Sequence, residues 1–325
     1  MKALILAGGE GTRLRPLTYA TPKSLLPICN RPFLEHQIRW MHGHGISEAM
    51  LLTGYLAEAF TPFVEAMAEQ EITLEIVREL APLGTAGAVR NVLDRLEGTT
   101  IVFNGDVLTD LDLGELIAFH RRRAAAVTLT LTNVDDAGPY GLVPLDPDGR
   151  VTAFLEKPAP DVASLGGSIN AGTYVLEPAV MAGVPAGERW SFERQLFPSL
   201  VERGERVFGL ASAAYWLDIG TPERYLRAHW DVLSGRTTAS GMGRRVGDVL
   251  LGDGAACDAR VEGPAVLGPG ARAEAGATLE RAVLLEGSLV EGGAVVRDTV
   301  VGPGGVIASG AHCEGRIVGP GERLA

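Results

Sequence analysis

Leu4-Ile5-Leu6-Ala7-Gly8-Gly9-Glu10-Gly11-Thr12-Arg13-Leu14-Arg15-Pro16-Leu17-Thr18, closed by Pro22-Lys23, is the stretch from which the fold of this chain can be read. An apolar run suited to a buried strand stops at a glycine pair, and in the loop from Gly8 to Gly11 three of four residues are glycine. Without Cβ atoms the backbone can come close to a ligand, and successive amides in such a turn make an anion-binding concavity. Arg13, Arg15 and Lys23 add fixed positive charge that dinucleotide-binding turns lack. Strand, phosphate cradle and cations together suit a triphosphate.

Two commoner glycine loops do not fit. A dinucleotide fingerprint needs G-x-G-x-x-G, but after Gly9-Glu10-Gly11 the third glycine position is Leu14. A P-loop needs Gly-Lys at a fixed distance after its first glycine, and neither Gly8 nor Gly9 has one. The segment instead resembles the signature of the sugar-1-phosphate nucleotidyltransferases, G-G-x-G-T-R-L-x-P-L-T followed by P-K. That resemblance implies that Leu6, Ala7, Gly8, Gly9, Gly11 and Thr12 hold the nucleotide and that Arg13 and Lys23 are catalytic.

The chain of 325 residues is long enough for two domains with a real core. A formal net charge of -11 argues against a nucleic-acid binder and makes a phosphate pocket a local exception to the overall field. Cys29, Cys257 and Cys313 are far apart and odd in number, so they read as small apolar residues rather than a disulfide framework or zinc site. No signal-peptide pattern or membrane-length apolar stretch is visible, and a cytoplasmic location is expected.

Beyond the loop, Leu34, Ile38 and Met41 predict a helix stopped by Gly43 and Gly45, with His42 and His44 as polar helix-end residues. Strands are expected at 49–53, 72–77 and 100–104, and helices at 57–68 and 86–96. This alternation predicts an α/β fold, a mostly parallel, Rossmann-like sheet flanked by helices. In Pro82-Leu83-Gly84-Thr85-Ala86-Gly87, small residues open a helix where a flat ligand can lie, and Thr85 can cap it. The resemblance makes this the base-holding segment, with Pro82, Gly84 and Thr85 in contact.

Asn104-Gly105-Asp106 delivers a carboxylate at the end of a strand, where ligands of open α/β sheets bind, and Trp216-Leu217-Asp218-Ile219-Gly220 repeats the arrangement. Two carboxylates from separate strands suit Mg²⁺, which takes one or two and keeps its waters; in the resembled family these positions hold the metal. Asp110 and Asp112 read as helix-start residues, and Arg121 to Arg123 as a solvated helix end.

Farther on, Tyr140-Gly141, Glu156-Lys157-Pro158 and Asn170-Ala171-Gly172 resemble the family's sugar-phosphate pocket. The resemblance implies that Gly141 admits the sugar, Glu156 and Asn170 bond its hydroxyls, and Lys157 meets its phosphate. Glu193, in a helix start that Ser191 can cap, is a further candidate beside the sugar. The helix 222–233 closes a catalytic domain expected over 1–235, followed by a linker over 236–247.

From Val249 the chain has a period. Val249, Val266, Val283, Val300 and Ile317 are seventeen apart, with inner steps of six, six and five. Hexapeptide steps with glycine corners predict a parallel β-helix over 248–325, to which the resemblance gives a left hand. Longer prisms of this kind form acyltransferases; here the one histidine, His312, falls in an inward phase and no loop is inserted, so packing and homo-oligomer formation are the expected roles.

The reaction implied is attack by a sugar 1-phosphate on a nucleoside triphosphate, needing Mg²⁺ and no general base. Within the family, N-R-P-F-L-E-H-Q-I, P-L-G-T-A-G-A, F-N-G-D, F-L-E-K-P, I-N-A-G and Y-W-L-D-I-G-T-P most resemble bacterial mannose-1-phosphate guanylyltransferases, implying GTP. Thymidylyl- and uridylyltransferases acting on glucose 1-phosphate share the outer motifs. A non-catalytic binding subunit would be expected to lose a metal aspartate or the arginine, yet Arg13, Lys23, Asp106 and Asp218 are all present.

Overall fold

The structure, a computed structural model, describes residues 1–70, 72–138, 140–156 and 166–325. It divides into two compact units, Met1–Gly9 with Arg39–Trp216, and Glu10–Ile38 with Leu217–Ala325.

In the first unit the run read as a buried strand, Ala3–Leu6, lies inside a sheet. It pairs in parallel with Glu48–Thr53 on one side and Thr100–Asn104 on the other, and Thr73–Arg78 extends the parallel edge. Gly167–Leu176 then enters antiparallel, followed by Val127–Val134 and its parallel neighbour Val207–Ala211. Central parallel strands are buried on both faces, which is why they read as unbroken apolar runs. Tyr174, Phe192 and Phe197 pack with ring centroids 5.1 to 5.4 Å apart within a core that includes Leu4, Val102 and Leu129.

The helix expected over 86–96 is shorter, an α-helix Gly84–Arg90 with a separate 3₁₀ turn at Leu93–Arg95. Pairing between Gly167–Leu176 and Val127–Val134 shifts register between Asn170 and Tyr174. Gly172 makes that bulge possible: its φ is +77°, and a Cβ there would stand 2.7 Å from Asn104 Nδ2. Bulges re-aim side chains next to functional sites, and Asn170 is the residue re-aimed.

The second unit contains the coiled strands. Val266 pairs with Val283, Val283 with Val300, and Val300 with Ile317, confirming the seventeen-residue step and a parallel β-helix. The first coil differs. Val249 pairs with Ala265 and Ala256 with Arg272, a step of sixteen, whereas Arg260 pairs with Thr278, a step of eighteen. The corner between Cys257 and Arg260 is therefore two residues shorter than its successors, and Val249 leaves the expected phase.

The inward phase also needs correction. Neighbours in a strand face opposite ways, and the prism interior holds Leu267, Leu284 and Val301, Ala273, Val290 and Ile307, and Leu279, Val296 and Cys313. Val266, Val283 and Val300 face outward and are still buried, and the helix Pro222–Leu233 packs on the strand Val295–Val301 that carries the last of them. His312, expected inward, is exposed, and its neighbour Cys313 fills the interior. Among the described residues no helix is long and apolar enough to cross a membrane.

Candidate active site

In the first unit the parallel strands Ala3–Leu6, Glu48–Thr53 and Thr100–Asn104 end nearly level, with Leu6 in register with Leu52 and Asn104. The Gly105 amide donates to the Leu6 carbonyl at 3.0 Å, and a Cβ on Gly105 would stand 2.6 Å from that oxygen. Glycine before Asp106 is thus required by close approach, and it sets the half-buried Asp106 at the strand's carboxyl end. Gly8 faces Glu79: a Cβ on Gly8 would lie 3.3 Å from Glu79 Oε1. Glu79 Oε2 accepts the Leu83 amide at 3.0 Å. Burial pushes the Glu79 carboxyl above its ordinary range, and the Leu83 N–H partly offsets it.

The segment around Gly84 and Thr85 is built differently from its expected form. Thr85 does not cap the helix, which has no side-chain cap. Its Oγ1 accepts the Phe192 amide at 2.8 Å and donates to Glu193 Oε2 at 3.1 Å. The amides of Ala86 and Gly87 donate to the Trp190 carbonyl, which satisfies the helix start that a cap would otherwise serve. Cβ atoms on Gly84 and Gly87 would stand 2.7 Å from Trp190 O and 2.5 Å from Glu188 O, so this backbone strip fills the space that the two glycines leave.

Glu193 and Asn170 are brought together. Glu193 also accepts from Ser191 Oγ at 2.7 Å and from the Tyr174 hydroxyl at 3.3 Å, and Asn170 Nδ2 donates to the same Tyr174 oxygen at 2.7 Å. Burial and the Glu193 charge raise the Tyr174 phenol far above its usual range, so it stays protonated. Ser191 caps its helix as expected, accepting from the Arg194 amide. Gly141 and Glu156 are register partners across a short antiparallel pair. Lys157 lies outside the described residues.

In the second unit the signature loop winds tightly. Gly11 has φ +61°, and a Cβ there would stand 2.9 Å from Lys23 Cβ. Its carbonyl accepts from the Leu14 amide and the Thr18 hydroxyl, both at 2.9 Å. Leu14 is fully buried and anchors the turn Thr12–Leu14, leaving Arg13 exposed. Arg15 pairs with Glu10 at 2.8 Å and lies 5.0 Å from the Tyr19 ring centroid. Within this unit Arg13 and Asp218 meet at Gly220. A Cβ there would be 2.5 Å from both Arg13 Nη2 and Asp218 Oδ1, so cation and carboxylate flank a bare Cα. Asp218 Oδ1 accepts the Gly220 amide at 2.8 Å, and its other oxygen pairs with Arg224.

A model of the nucleotidyl transferase family matches residues 2–235. The chain belongs to that family. This nucleotidyl transferase is 40% identical over 286 residues to the mannose-1-phosphate guanylyltransferase of Mycobacterium tuberculosis, covering 87% of this chain and 79% of the relative. It is 35% identical over 297 residues to "Probable mannose-1-phosphate guanylyltransferase 2" of Oryza sativa subsp. japonica, covering 88% and 80%. HddC of Yersinia pseudotuberculosis, solved in complex with GMP-PN, aligns with a TM-score of 0.60 and 29% identity, over 71% of this chain and 98% of that one.

Asp106 and Asp218 are each hard oxygen donors, the ligand type that Mg²⁺ takes. Among the described residues no group of three or more His, Cys, Asp or Glu gathers.

Two residues beside the candidate site residues of this nucleotidyl transferase carried a readable signal outside the motifs. Glu79 directly follows the strand Thr73–Arg78, the same strand-end placement as Asp106. Arg224 puts a cation in the first turn of the helix Pro222–Leu233, against the helix dipole, which calls for a nearby anion.

Proposed function

We propose that this nucleotidyltransferase joins GTP and mannose 1-phosphate, giving GDP-mannose and pyrophosphate. Residues 1–235 carry the chemistry, 236–247 connect, and 248–325 form the prism. The observation that carries the reading is the Arg13 guanidinium and Asp218 carboxylate flanking Gly220. The names of the relatives support the substrate pair.

In this reading Leu6, Ala7, Gly8, Gly9, Gly11 and Thr12 surround the triphosphate, and the loop at Pro82 borders the base, with Gly84 and Thr85 holding that loop against Trp190, Phe192 and Glu193. Glu79 favours guanine: a carboxylate offers two acceptors to the adjacent N1–H and N2–H donors of that base, a pair that uracil and adenine lack. Gly141, Glu156, Lys157, Asn170 and Glu193 receive the sugar phosphate.

A phosphate oxygen of the sugar phosphate attacks the α-phosphorus. Its bond forms as the bond from the α-phosphorus to the bridging oxygen breaks, and pyrophosphate leaves with the electron pair. A phosphate monoester has a second pKa of about 6, so the nucleophile is already ionised at neutral pH. The residues' work is to align two anions and offset their repulsion, which Arg13 and Lys23 do as fixed cations. Asp106 and Asp218 would hold Mg²⁺, which when bound supplies further neutralisation at the phosphates.

The test is pyrophosphate release with Mg²⁺ across GTP, dTTP, UTP, ATP and CTP, each with mannose 1-phosphate and glucose 1-phosphate. Preference for GTP with mannose 1-phosphate is expected. Another preferred pair would replace the substrates and keep the chemistry; silence with every pair from folded protein would remove the catalytic reading.

A further inference from the structure

We infer that the last coil of the β-helix positions the signature loop, with Gly319 as the positioning residue and Pro16 as the residue it holds. The inference rests on the nucleotidyltransferase reading above. A Cβ on Gly319 would stand 3.2 Å from Pro16 Cγ and 3.6 Å from Pro16 Cβ. Gly319 is buried, and its backbone is not in the left-handed region, so conformation does not demand glycine there.

The coil itself does not demand it either. Two repeats earlier, the same position is Leu285, a buried side chain that its coil accommodates. At the intervening position glycine has a different cause: a Cβ on Gly302 would meet Val318 O at 2.8 Å, in the coil stacked on it. At Gly319 the crowding groups are Glu322 Oε2, which accepts the Gly319 amide at 2.7 Å, and the Pro16 ring, which belongs to the signature segment.

Pro16 is anchored within its own segment as well. Its neighbours Leu14 and Leu17 are fully buried, and its carbonyl accepts the Tyr19 amide at 3.2 Å. Three residues before it stands Arg13, over Gly220. Farther along the same segment, Asn30 Nδ2 donates to Leu267 O at 3.1 Å, and Arg31 Nε to Ser240 O at 3.1 Å. The segment from Glu10 to Ile38 is thus seated on the prism and the chain leading into it, and Gly319 bears on it closest to Arg13.

The experiment is a volume series, Gly319→Ala, Gly319→Val and Gly319→Leu, read as KM for GTP, kcat, GTP binding without sugar phosphate, and thermal midpoint. His312→Val, an exposed change on the same coil at the repeat position of Val295, is the control. The expected result is a graded loss of GTP binding and kcat/KM, small for Ala and about tenfold or more for Val, since a misplacement of an ångström costs up to about 10²-fold. His312→Val should bind GTP as the wild type does. Combining Gly319→Val with Pro16→Ala, which removes the crowded Cγ, should cost less than the sum of the single effects. Wild-type GTP binding across the folded members of the series, or strict additivity with Pro16→Ala, overturns the inference. If Gly319→Val or Gly319→Leu fails to fold, Gly319→Ala, whose added atom asks Pro16 to give by only tenths of an ångström, decides through its KM and binding. Absence of activity in the wild type would instead count against the functional reading, and the binding series would still test Gly319.

Discussion

Glu79 lies against Gly8, with Oε1 3.3 Å from the place a Cβ on that glycine would occupy and Oε2 3.0 Å from the Leu83 amide. One carboxylate thereby meets both the turn proposed to cradle the phosphates and the loop proposed for the base. Glu79→Gln replaces one of its two acceptors by a donor, facing the N2–H group of guanine with the wrong polarity. The expected result is a GTP-over-UTP preference reduced by about tenfold to a hundredfold, the worth of one hydrogen bond to a charged group. Steady-state kcat/KM for the two nucleotides measures it.

The raised Glu79 carboxyl has a pH consequence of definite sign. As pH falls from neutrality, Glu79 takes its proton above the ordinary carboxylate range and loses an acceptor. KM for GTP should rise on acidification, and this rise should vanish in Glu79→Gln. Because the folded state binds this proton more tightly than the unfolded chain, Glu79 opposes folding at neutral pH and the glutamine variant should be the more stable there. A KM–pH profile identical in both proteins would count against Glu79 as a base contact.

Arg13→Ala should cost about 10²-fold in kcat, by analogy with removal of one transition-state hydrogen-bond donor. The wild-type thermal midpoint should be kept, because Arg13 is exposed while its neighbour Leu14 anchors the loop. Turnover by pyrophosphate release, set beside a melting curve, separates chemistry from folding. Undiminished turnover would remove Arg13 from the mechanism.

Gly220→Ala puts a methyl 2.5 Å from both Arg13 Nη2 and Asp218 Oδ1. The two groups must move apart, and a drop in kcat/KM of at least about tenfold is expected. Mg²⁺ titration of the variant should show a weaker apparent metal affinity as well, since Asp218 is displaced.

His229 is fully buried, its Nδ1 accepts the Cys29 amide at 3.1 Å, and burial with a smaller contribution from His36 pushes it down to about 3. Unfolded, it would titrate near ~6.5. Between those values the unfolded chain binds the extra proton, so the stability tied to neutral His229 is complete above about 6.5 and is lost as pH falls toward about 3. The loss cannot exceed about 1.4 kcal/mol per pH unit for one group. In His229→Asn, whose amide oxygen can still accept from Cys29, urea midpoints at several pH values across this window should fall less steeply than in the wild type.

Much of the fold was legible because its cues were local. Apolar runs closed by glycine marked Ala3–Leu6 and Thr100–Asn104, and a Thr-Pro start with a Ser-Gly end marked the helix Pro222–Leu233. The phase of the prism was not legible, because Val266 and Leu267 are both buried and a strand apolar on two faces hides which one is interior. Glycines mark close approach without naming what approaches: Gly84 and Gly87 read as room for a ligand, and the backbone at Glu188 and Trp190 lies there. Glu193 was readable as a helix-start residue, but its three hydroxyl donors come from Thr85, Tyr174 and Ser191, two of them far away in the chain. Asp218 was visible through its glycine, while Arg224, its ion-pair partner, was hidden in an ordinary helical turn.

The seat of the segment Glu10–Ile38 also bears on how the protein is made. Pro16 leaves the ribosome early, but Gly319 follows 303 residues later, 319 less 16. At about 5–20 residues per second that interval is roughly 15 to 60 seconds. During it, the loop carrying Arg13 and Lys23 has been synthesised while the coil against which Pro16 rests has not. A nascent chain stalled before the final coil should therefore hold GTP poorly even where its first sheet has already formed.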